Sequence, residues 1–402
     1  MKYLVLLGDG MADLPIDELG GKTPMECAKK PLIDFMAQKG EVGMCRITPE
    51  GCKGGSDVGN LSVMGYDPRR YLTGRAPLEA AAMGIKMADD DIALRCNLAC
   101  VSDEDEYENK TMIDYSSDEI TTAEASELID ALNEELSDGI IEFHAGISYR
   151  HILIIHGGNS DVTLTPPHDI TGKPVRDYLP KGSGASVLFD IMKKSEEILK
   201  NHPVNLKRKA LGLRMANTCW FWGVGSKPGL SPFKEKYGLS GSAVTAVDLV
   251  RGIAKLADMT TYDVDGATGT LETNFMGKAK ATLTAFDEGY DFCYLHFEAP
   301  DECGHRHEIN RKVKAIEMLD TVLTFIVNGL RARGEEYGVL IMPDHPTPIS
   351  TGTHSSAPVP YAIYYSNNER NSGVQNFCEK TAEATGVVQE IGYDLLGRFF
   401  KE

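Results

Sequence analysis

A handful of residues in this chain could do chemistry together. Asp301 and His305 stand four apart, Asp344 and His345 are adjacent, His354 follows, and Asp9 lies near the start. A spacing of four lets one helical turn, or a turn-like loop, bring both side chains to one ion. Adjacent residues suit a bend after a strand instead. Three carboxylates and three imidazoles are donors for divalent cations of intermediate hardness such as Zn2+ or Mn2+. Six ligands exceed what one catalytic ion with an open position accepts. They fit two ions a few ångströms apart, an arrangement that stabilises the attacking and leaving oxygens of phosphoryl transfer. Taken singly, each residue reads as readily as a helix cap or a surface histidine. Ser56, inside the Gly-rich stretch Gly51–Gly59, adds a nucleophile. A metal lowers the pKa of a bound hydroxyl and so activates it without a histidine base. Alone, it is an ordinary loop serine. This chemistry reaches phosphoryl transfer or hydrolysis at a two-metal centre and names no substrate.

Such residues need strands that end in the right place. The apolar runs Tyr3–Leu7, Tyr290–Phe297 and Val339–Met342 lead into Asp9, Asp301 and Asp344. Short apolar runs bounded by Gly or Pro read as buried strands, and ligand sites of open α/β sheets gather beyond the carboxyl ends of strands. Around them, spacing predicts helices over Pro31–Lys39, Leu78–Met83, Ser186–Leu199, Ser242–Leu256, Leu271–Phe286 and Glu308–Arg333. The last carries Ile316, Leu319, Leu323 and Ile326 on one stripe. Thr121 and Glu124 form a capping-box pattern opening a helix to about Leu136. Further strands are expected at His151–His156, Asn217–Phe221 and Val359–Tyr364. Alternation of helices and apolar strands predicts an α/β fold with a mostly parallel sheet flanked by helices. The acidic stretch Asp103–Asp118 and the linker-like Gly225–Pro232 bracket an inserted, smaller α+β domain. The expected division is residues 1–110 with 225–402 as one metal-binding catalytic domain, and 111–224 as an inserted substrate-binding domain.

Composition excludes several classes. With 42% apolar and 25% charged residues, the chain reads as a soluble globular protein. Its net charge of −18 opposes non-specific nucleic-acid binding, which needs a basic footprint. An anionic partner must therefore meet local metals or arginines. Nine cysteines without a Cys-x-x-Cys pair read as buried thiols in a reducing cytoplasm. The first apolar run is too short for a signal peptide or a membrane span. No GxxxxGK[ST] or GxGxxG pattern supports a P-loop or Rossmann enzyme. Oligomeric state is not readable.

The motifs together resemble the archaeal-type cofactor-independent phosphoglycerate mutases of the alkaline phosphatase superfamily. The resemblance runs through Gly8-Asp9-Gly10, Gly55-Ser56-Asp57-Val58-Gly59, Thr73-Gly74-Arg75, Pro300-Asp301-x-x-Gly304-His305, Pro343-Asp344-His345 and His354 with Pro358-Val359-Pro360. It extends to Tyr149-Arg150-His151, Pro167-His168-Asp169 and His202-Pro203-Val204-Asn205 in the inserted part. Where the bacterial form has a histidine after its serine, this chain has Gly59-Asn60.

The resemblance implies an alkaline-phosphatase-like fold and a phosphoserine on Ser56. It implies one metal held by Asp9, Ser56, Asp344 and His345, and a second held by Asp301, His305 and His354. Mn2+ leads the expected ions, ahead of Mg2+, Zn2+ and Co2+, and no 2,3-bisphosphoglycerate is needed. The implied reaction interconverts 3-phosphoglycerate and 2-phosphoglycerate in glycolysis. The partner is thus a small phosphorylated anion, with neither nucleic acid nor membrane involved. Arg75, Arg150, Arg208 and Arg214, with His151 and His168, are the candidates for substrate contacts. Two alternatives keep the fold: a homoserine-kinase-like transfer from ATP to an alcohol, with Asp161 and Asp169 available to an amino group, and a phosphomonoester hydrolase. A non-catalytic metal-binding protein is a third alternative.

Overall fold

Among the described residues there are thirteen strands: β1 (Lys2–Gly8), β2 (Glu41–Cys45), β3 (Ile92–Val101), β4 (Met112–Asp114), β5 (Ile141–His144), β6 (Arg150–Ile155), β7 (Thr218–Ser226), β8 (Gly241–Val244), β9 (Thr260–Tyr262), β10 (Phe292–Phe297), β11 (Tyr337–Met342), β12 (Val359–Tyr365) and β13 (Val388–Gln389). The computed structural model describes residues 1–401. The chain divides into two units, Met1–Leu72 with Gly229–Glu402, and Thr73–Pro228.

The first unit is built on an eight-stranded sheet in the order β13-β2-β12-β11-β1-β10-β8-β9. From β11 to β9 every neighbouring pair is parallel; β12 runs antiparallel to both β11 and β2. This meets the expectation of a mostly parallel sheet flanked by helices. β1 lies between β10 and β11, and its side chains are buried on both faces. That explains why Leu4–Leu7 read as an unbroken apolar run rather than an alternating one. The helix Ile309–Ala332 lays Ile316, Leu319, Leu323 and Ile326 into the core that also holds Leu4, Leu6 and Leu295. At about 1.5–3 kcal/mol for each buried aliphatic side chain, this stripe alone anchors the helix.

The second unit is α+β. β3 pairs antiparallel with β4, β6 and β7, and β5 pairs with β6. The helices Thr122–Leu136 and Ala185–Lys200 bury Leu128, Leu132, Leu188 and Leu199 against Leu94, Leu98 and Leu153. The capping box expected at Thr121 and Glu124 is present. Arg208 is an internal strut here, 2% exposed. It donates from Nε to Arg214 O (2.9 Å), from Nη1 to Glu124 Oε2 (2.9 Å) and from Nη2 to Ser117 O (2.5 Å).

Several expectations need correction. The chain enters the second unit at Thr73, not at 111, because β3 is the strand on which that unit's sheet is assembled. Its polar residues Arg95 and Asn97 hide it from a hydrophobicity reading. The acidic stretch 103–118 is not a boundary but contains β4. Ser242–Leu256 is not one helix: Gly241–Val244 is β8, paired with β10, and the helix starts at Asp248. The strand pairing overrides a spacing of three that local sequence alone reads as helical. The helix expected from Leu271 starts at Phe275, where Asn274 accepts from Gly277 N.

Arg208→Ala should lower the unfolding free energy by about 2–4 kcal/mol, since it strands the buried Ser117 carbonyl, the Arg214 carbonyl and an ion-paired carboxylate. Denaturant titration reads this out; a loss below about 0.5 kcal/mol would contradict the strut. A second effect depends on pH. His156 Nδ1 lies 2.8 Å from Oδ1 of buried Asp91, and that hydrogen bond raises the imidazole pKa. The stabilisation is complete below the unfolded value of about 6.5 and is lost as pH rises through the higher folded value. Melting temperature should therefore fall more between pH 6 and pH 8 in the wild type than in His156→Gln.

Candidate metal centre

The site grows out of sheet register. Gly8 is level with Phe297 across β1 and β10, and Leu7 is level with Met342 across β1 and β11. Three adjacent parallel strands thus end together, and the chain after each supplies a carboxylate. Asp9 follows β1 directly. Asp344 and His345 follow β11. Asp301 and His305 lie on the short helix Ala299–His305 after β10. Ser56 is not on a loop, as expected, but is the first residue of the helix Ser56–Val63, with Gly55 ahead of it.

Two groups form. In the first, Asp9, Asp344 and His345 bring ligand atoms within 4.8 Å of one another, all buried. His345 Nε2 lies 3.3 Å from Asp9 Oδ1, 3.5 Å from Asp344 Oδ2 and 3.1 Å from Ser56 Oγ. In the second, Asp301, His305 and His354 converge in the same way. His305 Nε2 is 3.1 Å from Asp301 Oδ2, and His354 Nε2 is 3.5 Å from Asp301 Oδ1. The two groups adjoin: the His345 and His354 rings are 4.1 Å apart, and Thr347 Oγ1 bonds both Asp301 Oδ1 and His345 Nδ1. All seven residues singled out from sequence are therefore in one place.

The electrostatics describe a pocket built for positive charge. Burial, with Asp344, Asp301 and Glu298 nearby, pushes the Asp9 carboxyl well above its ordinary range, and burial raises Asp344 as well. Asp301 is driven down by hydrogen bonds from His305 and His354, which outweigh its burial. Asp301 in turn raises His305 to about 9. Asp9 Oδ1 is buried without a hydrogen-bond partner. An orphaned acceptor among anionic oxygens and imidazole nitrogens fits a divalent ion held by oxygen and nitrogen donors. Gly10 makes the close approach, at φ +60°. A Cβ there would lie 2.4 Å from Asp301 Oδ1.

Sequence reasoning missed the residues that hold these ligands. Asn60 donates to Asp344 Oδ2 (2.9 Å) and to Ser56 O (2.8 Å), and accepts from Tyr294 OH (2.7 Å). His296, wholly buried on β10, lies 2.8 Å from Asp9 Oδ2. Lys312 donates to Thr347 O (2.7 Å) and Asp13 Oδ2 (2.8 Å). A polar residue inside an apolar run, such as His296 in β10, was the one available signal.

The six candidates for substrate contacts do not gather. Arg75 is half exposed, 3.6 Å from Glu79 Oε1. Arg95, missed from sequence, lies 2.9 Å from Glu79 Oε2 with its guanidinium 3.8 Å over the Trp222 ring. His168 packs edge-on against Trp222 (5.3 Å) and Tyr115 (6.0 Å). Tyr115 meets Tyr149, which lies under the exposed Arg150. These form one connected cluster. His151 is instead buried, its Nδ1 accepting from Gly146 N, and burial lowers it to about 4. Arg208 is used up inside the second unit. Arg214 pairs with Asp114 (3.0 Å) and Asp118 (3.3 Å).

Comparison with known proteins agrees with these motifs. Residues 37–205 match the profile of 2,3-bisphosphoglycerate-independent phosphoglycerate mutase, and residues 174–348 that of type I phosphodiesterase / nucleotide pyrophosphatase. The mutase of that name from Methanothrix thermoacetophila is 47% identical over 397 residues, 98% of each chain. That from Methanosarcina barkeri is 43% identical over 403 residues, the full length of both. Among solved structures, a Pyrococcus horikoshii protein is 29% identical with a TM-score of 0.82, covering 100% of this chain and 96% of its own. The cofactor-independent phosphoglycerate mutase of Thermoplasma acidophilum shares the fold at a TM-score of 0.70 and 22% identity, covering 100% and 98%. The chain belongs to the 2,3-bisphosphoglycerate-independent phosphoglycerate mutase family.

Proposed function

We propose that this protein interconverts 3-phosphoglycerate and 2-phosphoglycerate through a phosphoserine on Ser56. The observation that carries the reading is Ser56 Oγ, 3.1 Å from Nε2 of His345 in the first acid–imidazole group, whose ring lies 4.1 Å from that of His354 in the second. The relatives' names supply the substrate. Asp9, Ser56, Asp344 and His345 would hold one divalent ion, and Asp301, His305 and His354 the other. Mixed carboxylate and imidazole donors favour Mn2+, with Mg2+, Zn2+ and Co2+ as alternatives. Two such ions, when bound, supply a deprotonated serine oxygen and positive charge for the transferring group.

The protein's own residues do the rest. Ser56 Oγ attacks phosphorus, the bond to the substrate's O3 breaks, and O3 gains a proton. The glycerate turns, its O2 attacks the phosphoserine phosphorus, the Oγ–P bond breaks, and the proton of the O2 hydroxyl passes to Ser56 Oγ. Ser56 opens a helix, whose backbone N–H groups and dipole favour a phosphoryl group there. His345 is fixed from Nδ1 by Thr347, which leaves Nε2 facing Ser56. Arg75, Arg95 and Arg150, with His168, are the groups of the Thr73–Pro228 unit suited to bind the anionic substrate. Arg95 is the best preorganised, because Glu79 and Trp222 hold its planar fork.

The test is 31P NMR of the purified protein with Mn2+ and 3-phosphoglycerate, without bisphosphoglycerate. A growing 2-phosphoglycerate signal that chelation abolishes is expected. Inorganic phosphate alone would show a hydrolase and end the mutase reading. Ser56→Ala should cut turnover by at least about a thousandfold with an unchanged melting temperature. Asp301→Asn should lose metal and activity together, measured by elemental analysis alongside rate; full metal content would contradict its role as ligand.

A further inference from the structure

His296 touches no solvent, and both of its ring nitrogens are engaged. Nε2 lies 2.8 Å from Asp9 Oδ2, and Nδ1 lies 3.2 Å from Thr245 Oγ1. To receive a cation Asp9 must be an ionised carboxylate, which only accepts, so Nε2 then carries the proton. A neutral ring has one N–H, so Nδ1 is bare and must accept. Thr245 can supply that donor. Its oxygen takes the Val247 N–H at 3.0 Å, which leaves the hydroxyl proton for Nδ1. The relay crosses three neighbouring strands at their carboxyl ends. Thr245 follows β8, His296 lies one residue from the end of β10, and Asp9 follows β1.

The consequence lies on Asp9. With Oδ2 tied to His296, the other oxygen, Oδ1, has no hydrogen-bond partner and faces His345 Nε2 at 3.3 Å. We infer that His296, held in one tautomer by Thr245, is a positioning residue that keeps Asp9 Oδ1 turned toward Asp344 and His345 to receive their ion. This rests on the metal reading proposed above. Outer hydrogen bonds of this kind typically change metal affinity by about 10–100-fold.

The test uses the full chain stripped by chelation, with Mn2+ alone as probe and free Mn2+ counted by electron paramagnetic resonance. The wild type should bind two ions. His296→Leu should weaken one of them by about 10–100-fold and leave the other within about twofold. His296→Gln, which returns an N–H near the Nε2 position, should recover most of the loss. Thr245→Val keeps the ring but removes its donor. It should weaken the same ion several-fold at an unchanged melting temperature, and it carries the test if His296→Leu does not fold. Equal weakening of both ions with a lowered melting temperature would make His296 a support of the fold only and overturn the assignment. Wild-type affinities in the folded variants would overturn it too, with the two-ion reading intact. A wild type that binds no Mn2+ would sink that reading first, and this one with it.

Discussion

Repulsion among Asp9, Asp301 and Asp344 is the constraint on which the rest of the centre depends. The register of β1, β10 and β11 brings the three together, and all are buried. Two like charges 4 Å apart at an effective dielectric of 20 repel by about 4 kcal/mol. A single hydrogen bond to a charged group returns about 1.5–3 kcal/mol. Hydrogen bonds from Gly10 N, Asn60, His296 and Thr347 orient these carboxylates and offset part of their mutual repulsion, but they bring no positive charge. Positive charge has to enter, as imidazolium, proton or cation. The raised His305 and the raised Asp9 are two signs of the same demand. The donor geometry favours answering it with divalent ions.

The parts legible in the sequence were those with a period or a spacing. Buried parallel strands show as unbroken apolar runs, so Leu4–Leu7 and Val339–Met342 announced themselves, as did the carboxylates just past them. The Asp301–His305 spacing survived because it is local to one helical turn. What stayed hidden was non-local. β8 is a strand because β10 pairs with it, and nothing in Gly241–Val244 says so. Asn60 and Lys312 act on residues far along the chain, Asp344 and Asp13, and neither spacing marks them. Arg208 and Arg95 look alike in sequence. Carbonyl acceptors occupy the guanidinium of the first, whereas the fork of the second lies stacked on Trp222.

That contrast bears on how specificity is carried. The candidate metal ligands follow from strand ends and do not by themselves distinguish one substrate from another. The chain's −18 charge works against an anionic substrate, so recognition needs a concentrated exception. Arg75 and Arg95 share a single carboxylate, Glu79, and so carry an excess of positive charge at one spot. Arg214, matched by Asp114 and Asp118, carries none to spare. Counting partners, rather than counting arginines, separates those with charge to spare from those without.

Lys312 extends the argument to the scaffold beneath the ligands. It is fully buried, and burial lowers its pKa against the pull of Asp13. Two apolar side chains of the same volume would fill that space without the desolvation cost of an ion pair, so stability alone does not explain it. An apolar pair could not make directional contacts, and these contacts are what the site uses. Lys312 reaches Thr347 O, while Asp13 accepts from Ile349 N at 3.1 Å. The chain after β1 is thereby tied to the chain after β11. Thr347, held from its carbonyl by Lys312, turns its hydroxyl to Asp301 and His345. One buried ion pair thus sets the loop that joins the two ligand groups.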